Sequence, residues 1–174
     1  SDHSCHFSSF DINKQIHDNL NLLKKYYQKE LEEAGIRFTV EPLTEALEIE
    51  ADQLQISKVL MNIMQNSVYA LQKKIAKTNF QPEIRIRLNV EEEQLFIYLY
   101  DNGIGIEKSI LNKVFDPFFT TKTTSEAAGV GLYLSREILL SHNGTIRVQS
   151  EKDEYTEFIL SVPIHQPIKS KNNE

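Results

Sequence analysis

Cysteine occurs once, at Cys5, so no disulfide can form within the chain. That usage fits a reducing compartment. Long apolar runs are also absent, and no stretch approaches the roughly 20 apolar residues of a membrane-spanning helix. The opening residues SDHSCHFSSF are polar, without the apolar centre of a secretory signal. Nor is there a basic excess. With 19 Lys+Arg against 25 Asp+Glu the formal net charge is −6, so the chain has no overall basic footprint for nucleic acid. A phosphorylated ligand remains compatible with this charge, provided that its site is local. No internal repeat is visible.

What is present suffices for one folded domain. The 174 residues are 40 % hydrophobic and 25 % charged, an ordinary composition for a chain with a real core. Residues 1–9 read as a linker. His3, Cys5 and His6 within it have metal-ligand chemistry, but structural zinc needs four well-spaced ligands, so a polar tail is the better reading. Between Asp11 and Ala34, the residues Ile12, Ile16, Leu20, Leu23, Tyr27 and Leu31 recur every three or four positions, predicting one helix stopped by Gly35. Residues 36–40 alternate, with Ile36, Phe38 and Val40 on one side, and residues 46–51 form a second short strand candidate. A second helix is expected from Asp52 to about Lys74, burying Ile56, Val59, Leu60, Ile63, Met64, Ser67 and Leu71. Strands are expected over 83–90, with Ile84, Ile86, Leu88 and Val90 inward, and over 95–101. A short helix over 107–114, an irregular stretch over 115–129, a helix from Gly131 to His142, and strands over 145–150 and 156–163 complete the pattern; a frayed tail follows from Gln166. Runs of strands and helices with adjacent hairpins predict an α+β two-layer sandwich. Its mixed, largely antiparallel sheet is covered on one face by about three helices.

Four segments carry chemistry. Asn62 and Asn66 are four apart on the second helix, so they project from one side, at the edge of its apolar stripe. An asparagine offers a neutral oxygen to a hard cation and two donors to a phosphate; two solvated amides are the plain alternative. The segment DNGIGI ends an apolar strand in Asp101, whose carboxylate needs a donor there. The exocyclic amine of a purine is such a donor, and Gly103 and Gly105 would let a flat ring approach. A simple turn explains the same residues. In FDPFFTTK, Phe115 and Phe118 would anchor one end of a loop while Lys122 reaches a phosphate, or the phenylalanines form a small satellite cluster. In GVGLYLS, Gly129 and Gly131 precede a helix, whose first N–H groups are a ready phosphate site with or without a ligand.

Together, and in this order, the four segments resemble the N, G1, F and G2 boxes of the catalytic ATP-binding domain of bacterial two-component sensor histidine kinases. That family shares its ATP-binding fold with gyrase, mismatch-repair ATPases and heat-shock chaperone ATPases. The resemblance spans roughly residues 10–165, leaving 1–9 as a linker or the remnant of a preceding dimerisation hairpin and 166–174 as a C-terminal tail. It implies ATP and Mg²⁺ as cofactors, with Asn66 as metal ligand, Asn62 near the phosphates and Asp101 accepting from the adenine amino group. Gly103, Gly105 and Ile106 would lie beside the base. Phe115, Phe118, Thr121 and Lys122 would form the root of an ATP lid over 119–129, and Gly129, Val130, Gly131 and Leu132 would lie against the phosphates.

Departures from the family pattern are informative. Tyr69 stands where a basic residue is common, and Lys73, one helical turn further along the same side, is the substitute implied for nucleotide contact. Tyr133 replaces the last glycine of the G2 box, and the familiar His-Gly-Gly is His142-Asn143-Gly144. The ATP-hydrolysing relatives carry a glutamate at the position of Asn62, and an amide cannot activate water. Phosphoryl transfer to a protein is therefore favoured over hydrolysis. None of the chain's five histidines has the surroundings of a phosphoacceptor. The expectation is thus a protein-histidine kinase's catalytic half, monomeric by itself and cytoplasmic, with no assigned acid, base or nucleophile. Its parent would be a homodimer, soluble or anchored in the inner membrane. Its partners would be its own phosphoacceptor hairpin and a response regulator receiver domain, not nucleic acid. A nucleotide-sensing module without transfer activity, motivated by Tyr69, is the alternative. A serine-directed kinase of the anti-sigma type shares the fold, but the FDPFFTTK box argues against it.

Overall fold

The computed structural model describes residues 5–119 and 131–167. Alternation over the central segments builds the main sheet. Strands β4 (Glu83–Glu91) and β5 (Gln94–Asp101) form a hairpin whose two connecting residues, Glu92 and Glu93, both have positive φ (49° and 63°). That is the handedness a two-residue hairpin requires. With β2 (Arg37–Glu41), β6 (Thr145–Glu151) and β7 (Tyr155–Pro163), the strand order is β2-β4-β5-β7-β6. Only the β2–β4 pairing in this sheet is parallel. The expected mixed, largely antiparallel sheet is what forms.

Helices α1 (Ile12–Tyr26), α3 (Gln53–Ile75) and α5 (Gly131–Ser141) cover one face. Ile84, Ile86, Leu95, Ile97, Leu99, Phe158 and Leu160 of the sheet are buried beneath them with Ile56, Leu60, Ile63, Met64 and Leu71 of α3. Asp52 caps α3, its carboxylate accepting from Gln55 N at 3.2 Å. The other face of the sheet carries tyrosines paved by arginines. The Arg87 guanidinium lies 3.8 Å from the Tyr98 ring centre and that of Arg85 lies 5.0 Å from Tyr100. Stacking of the charged planes lets large rings face water on an open sheet.

The structure departs from the sequence expectations at several places. The helix expected over 11–34 is two helices, α1 and α2 (Gln28–Ala34), because Tyr27 leaves helical geometry (φ −113°, ψ 24°). Gly35 then ends α2 in left-handed conformation, φ 65°, as a glycine stop does. Val90, expected inward, is 41 % exposed, since it lies at the hairpin end of β4. Within the expected linker, Ser8 and Ser9 belong to β1 (Ser8–Asp11), which pairs antiparallel with β3 (Glu48–Ala51). Gln166, expected to begin a frayed tail, donates to the His142 carbonyl at 3.0 Å and to Glu50 at 3.3 Å. The short helix over 107–114 contracts to α4 (Lys108–Leu111).

Candidate nucleotide-binding site

The acid at the end of β5 and the start of α5 both pack against α3, Asp101 at Ser67 and Gly131 at Asn62. Asp101 is the last residue of β5, paired across to Ile84 and Thr156, and only 2 % exposed. Its Oδ1 accepts from Gly103 N at 2.9 Å, and the Ser67 hydroxyl donates to the same carboxyl group. Burial pushes the carboxyl up to about 7 from the usual 3.8, against the Gly103 amide, the Ser67 hydroxyl and the charge of Lys74, which favour ionisation. An ionised carboxylate has about four acceptor positions. Two donors leave capacity for an amine presented from a ligand.

Ser67 is the residue that sequence reasoning placed in the core without a role. The signal was there: one hydroxyl in an otherwise aliphatic stripe, one residue after Asn66. Asn102 was also underread. Its Oδ1 accepts from Glu83 N at 2.7 Å, its Nδ2 donates to Gln81 O at 2.9 Å, and its carbonyl accepts from Lys74 Nζ at 2.9 Å. Asn102 thus ties the strand end to Gln81, Glu83 and Lys74, while the Asp101 carboxyl is buried.

The glycines of this loop answer to the protein around them. A Cβ on Gly103 would sit 2.6 Å from the Ala70 carbonyl carbon, and Ile104 N donates to Ala70 O at 3.0 Å. Gly105 has φ 69°, and a Cβ there would overlap the Glu151 carbonyl oxygen. Ile106 N donates to Ser150 Oγ at 2.8 Å. The loop is thus stitched to α3 on one side and to the β6–β7 turn on the other, which holds Asp101 in place.

Asn62 and Asn66 are both half-buried on α3. Asn62 Nδ2 donates to Ser135 Oγ of α5 at 3.1 Å, and Gly131 packs on the same amide. Further along, Lys73 Nζ lies 5.2 Å from the Tyr69 ring centre, so the departure from the family pattern and its implied substitute lie side by side. Phe115 packs edge-on against Phe158 of the core, with ring centres 6.4 Å apart. Phe118, expected as a second anchor, is instead 76 % exposed with φ 65°, a backbone strained for a bulky residue. Leu132 packs against the core. Thr121, Lys122, Gly129 and Val130, with most of the expected lid, lie outside the described residues.

Among the described residues no group of three or more His, Cys, Asp or Glu gathers in metal-binding range. The donor set that remains, a half-buried amide oxygen on Asn66, fits the habit of Mg²⁺. That ion takes few protein ligands and completes its shell with water and substrate phosphates.

A mixed sheet covered on one face, with a buried acid at a strand end beside an amide-bearing helix, is the frame of an ATP-binding domain. The chain belongs to the family described as histidine kinase-, DNA gyrase B-, and HSP90-like ATPase, whose sequence profile matches residues 51–166. Among its relatives, the sensor protein RprX of Bacteroides fragilis (strain YCH46) is 37 % identical over 118 residues, 66 % of this chain and 22 % of that protein. The signal transduction histidine-protein kinase AtoS of Escherichia coli (strain K12) is 37 % identical over 134 residues, 76 % of this chain and 21 % of that protein. The catalytic domain of histidine kinase ThkA matches the fold with a TM-score of 0.75 at 27 % identity, covering 92 % of this chain and 97 % of that one. ThkA in complex with the response regulator protein TrrA matches with a TM-score of 0.68 at 25 % identity, covering 92 % of this chain and 42 % of that one. The chain spans about a fifth of the length of the two curated relatives.

Proposed function

We propose that this domain binds Mg²⁺ and ATP and donates the γ-phosphoryl group to a histidine on a separate helical hairpin, for relay to a response regulator. The observation that carries the reading is Asp101, a carboxyl 2 % exposed, held by Gly103 and Ser67 with acceptor capacity left for the adenine amino group. Asn66 would hold the metal, which would supply positive charge to neutralise the phosphates. Lys73, steadied by the Tyr69 ring, adds a point charge on the same side of α3. With Asn62 at the glutamate position of the hydrolysing relatives, no described group on this helix activates water. The protein positions and neutralises, and the nucleophile comes from the acceptor domain.

The complex of ThkA with TrrA supports a receiver domain as downstream partner. Among the described residues no helix is long and apolar enough to cross a membrane. We place the domain in the cytoplasm, where ATP and response regulators meet.

Calorimetric titration with a non-hydrolysable ATP analogue tests the binding claim. Mg²⁺-dependent binding that is lost in Asp101→Asn is expected; binding without Mg²⁺ dependence, or equal binding by the variant, refutes it. Incubation with labelled ATP and a cognate hairpin tests the transfer. Label on the hairpin histidine is expected, and its absence would favour a nucleotide-sensing module, the reading that Tyr69 motivates.

A further inference from the structure

We infer that Asn62 is a positioning residue: it holds the first turn of α5 against α3 and acts on the polyphosphate through that turn rather than by direct contact. This rests on the nucleotide reading above and refines it at one residue. The Asn62 amide is wedged between two residues of α5. Its nitrogen donates to Ser135 Oγ at 3.1 Å, and Ser135 is only 2 % exposed. Gly131, four residues earlier and so on the same side of α5, lies against the amide closely enough that an added Cβ would overlap Oδ1 and sit 2.9 Å from both Cγ and Nδ2.

Two consequences follow from this geometry. One of the two amide N–H donors is already engaged, and swinging the amide to present both to a phosphate would strip a buried hydroxyl of a partner. Gly131 is also the one residue type that permits the approach, so side chain and glycine fit as a pair. What the pair fixes is the distance between α3, with Asn66 one turn beyond Asn62, and the opening N–H groups of α5. N–H groups in a helix's first turn lack partners within it and attract anions. Asn62 therefore spaces the two walls between which a polyphosphate would lie.

The test measures affinity for a Mg²⁺–ATP analogue and for adenosine in the wild-type chain, Asn62→Ala, Ser135→Ala, the double variant and Ser135→Thr. Each alanine substitution is expected to weaken the analogue about tenfold and adenosine less than about twofold. The double variant should be no weaker than either single one, since both remove the same contact. Ser135→Thr, which keeps the hydroxyl, should recover most of the loss. Wild-type analogue binding by Ser135→Ala alongside a loss in Asn62→Ala would overturn the inference and make Asn62 a direct ligand. So would losses that multiply in the double variant, or adenosine falling in step with the analogue. A wild-type chain that binds neither ligand would instead overturn the nucleotide reading on which the inference stands.

Discussion

Replacing Asp101 by asparagine should make the protein more stable at neutral pH while it loses its ligand. The new side chain keeps the shape, with an oxygen for the Gly103 N–H and an amide beside Ser67, but cannot ionise. In the wild type, burial raises the Asp101 carboxyl from 3.8 to about 7. Below pH 3.8 the acid is protonated in both folded and unfolded chains and costs nothing. As pH rises the unfolded chain gains by ionising while the folded one keeps its proton, so the wild type loses stability until the folded group ionises near pH 7. A shift of about 3 units at about 1.4 kcal/mol per unit makes the full cost about 4 kcal/mol. Urea unfolding of both proteins at about pH 5, 6, 7 and 8 measures it, and the difference between them cancels every other titrating group. The stability gap in favour of Asp101→Asn should widen by about 1.4 kcal/mol per unit from about pH 5 to 7 and level off by about pH 8. A constant gap, or a wild type that gains on the variant as pH rises, would refute the argument that a desolvated acid is being kept for a ligand.

Two further perturbations probe the frame around the site. His142 is fully buried, with Nε2 accepting from Asp52 N at 3.0 Å and Nδ1 2.8 Å from Ile138 O, so His142→Phe should cost about 1–3 kcal/mol in urea unfolding by stranding the Asp52 N–H, while Ile138 O keeps the Ser141 hydroxyl at 2.6 Å; unchanged stability would deny the histidine that role. Gly35 and Gly105 have nearly the same positive φ, 65° and 69°, but only Gly105 lies against another backbone segment. Gly35→Ala should cost about 1–2 kcal/mol for its conformation, Gly105→Ala clearly more, and equal losses would mean that the Glu151 carbonyl yields freely.

The layers of this fold were legible because period and punctuation agreed. The stripe of α3 began just after an acid that caps it, and β4 and β5 alternated cleanly on either side of a short turn. The break at Tyr27 was hidden because its ring continues the apolar period; only the backbone reveals that the helix restarts. Strand β1 was hidden because two of its four residues are serines, and its reason for existing is a pairing with Glu48–Ala51 far along the chain. The site behaved likewise. Asp101 and Asn66 drew attention by type and place, and the structure places the Asp101 carboxyl buried at the end of β5 and Asn66 half-buried on α3. The Ser67 hydroxyl under Asp101, the exposure of Phe118 and the Asn62–Ser135 contact, which joins residues 73 apart, are products of tertiary packing that no local pattern carries.

Asp52 has a reach beyond its cap. One carboxylate oxygen accepts from Gln55 N at 3.2 Å, the other from His6 N at 3.0 Å, and its own amide meets the His142 ring. A pull on the chain at His6 is therefore borne by the first turn of the helix that carries Asn62 and Asn66, with the end of α5 in the same joint. Amide-exchange protection at His6 and Gln55 should rise and fall together, and where the chain is cut near Cys5 decides how firmly that helix is seated.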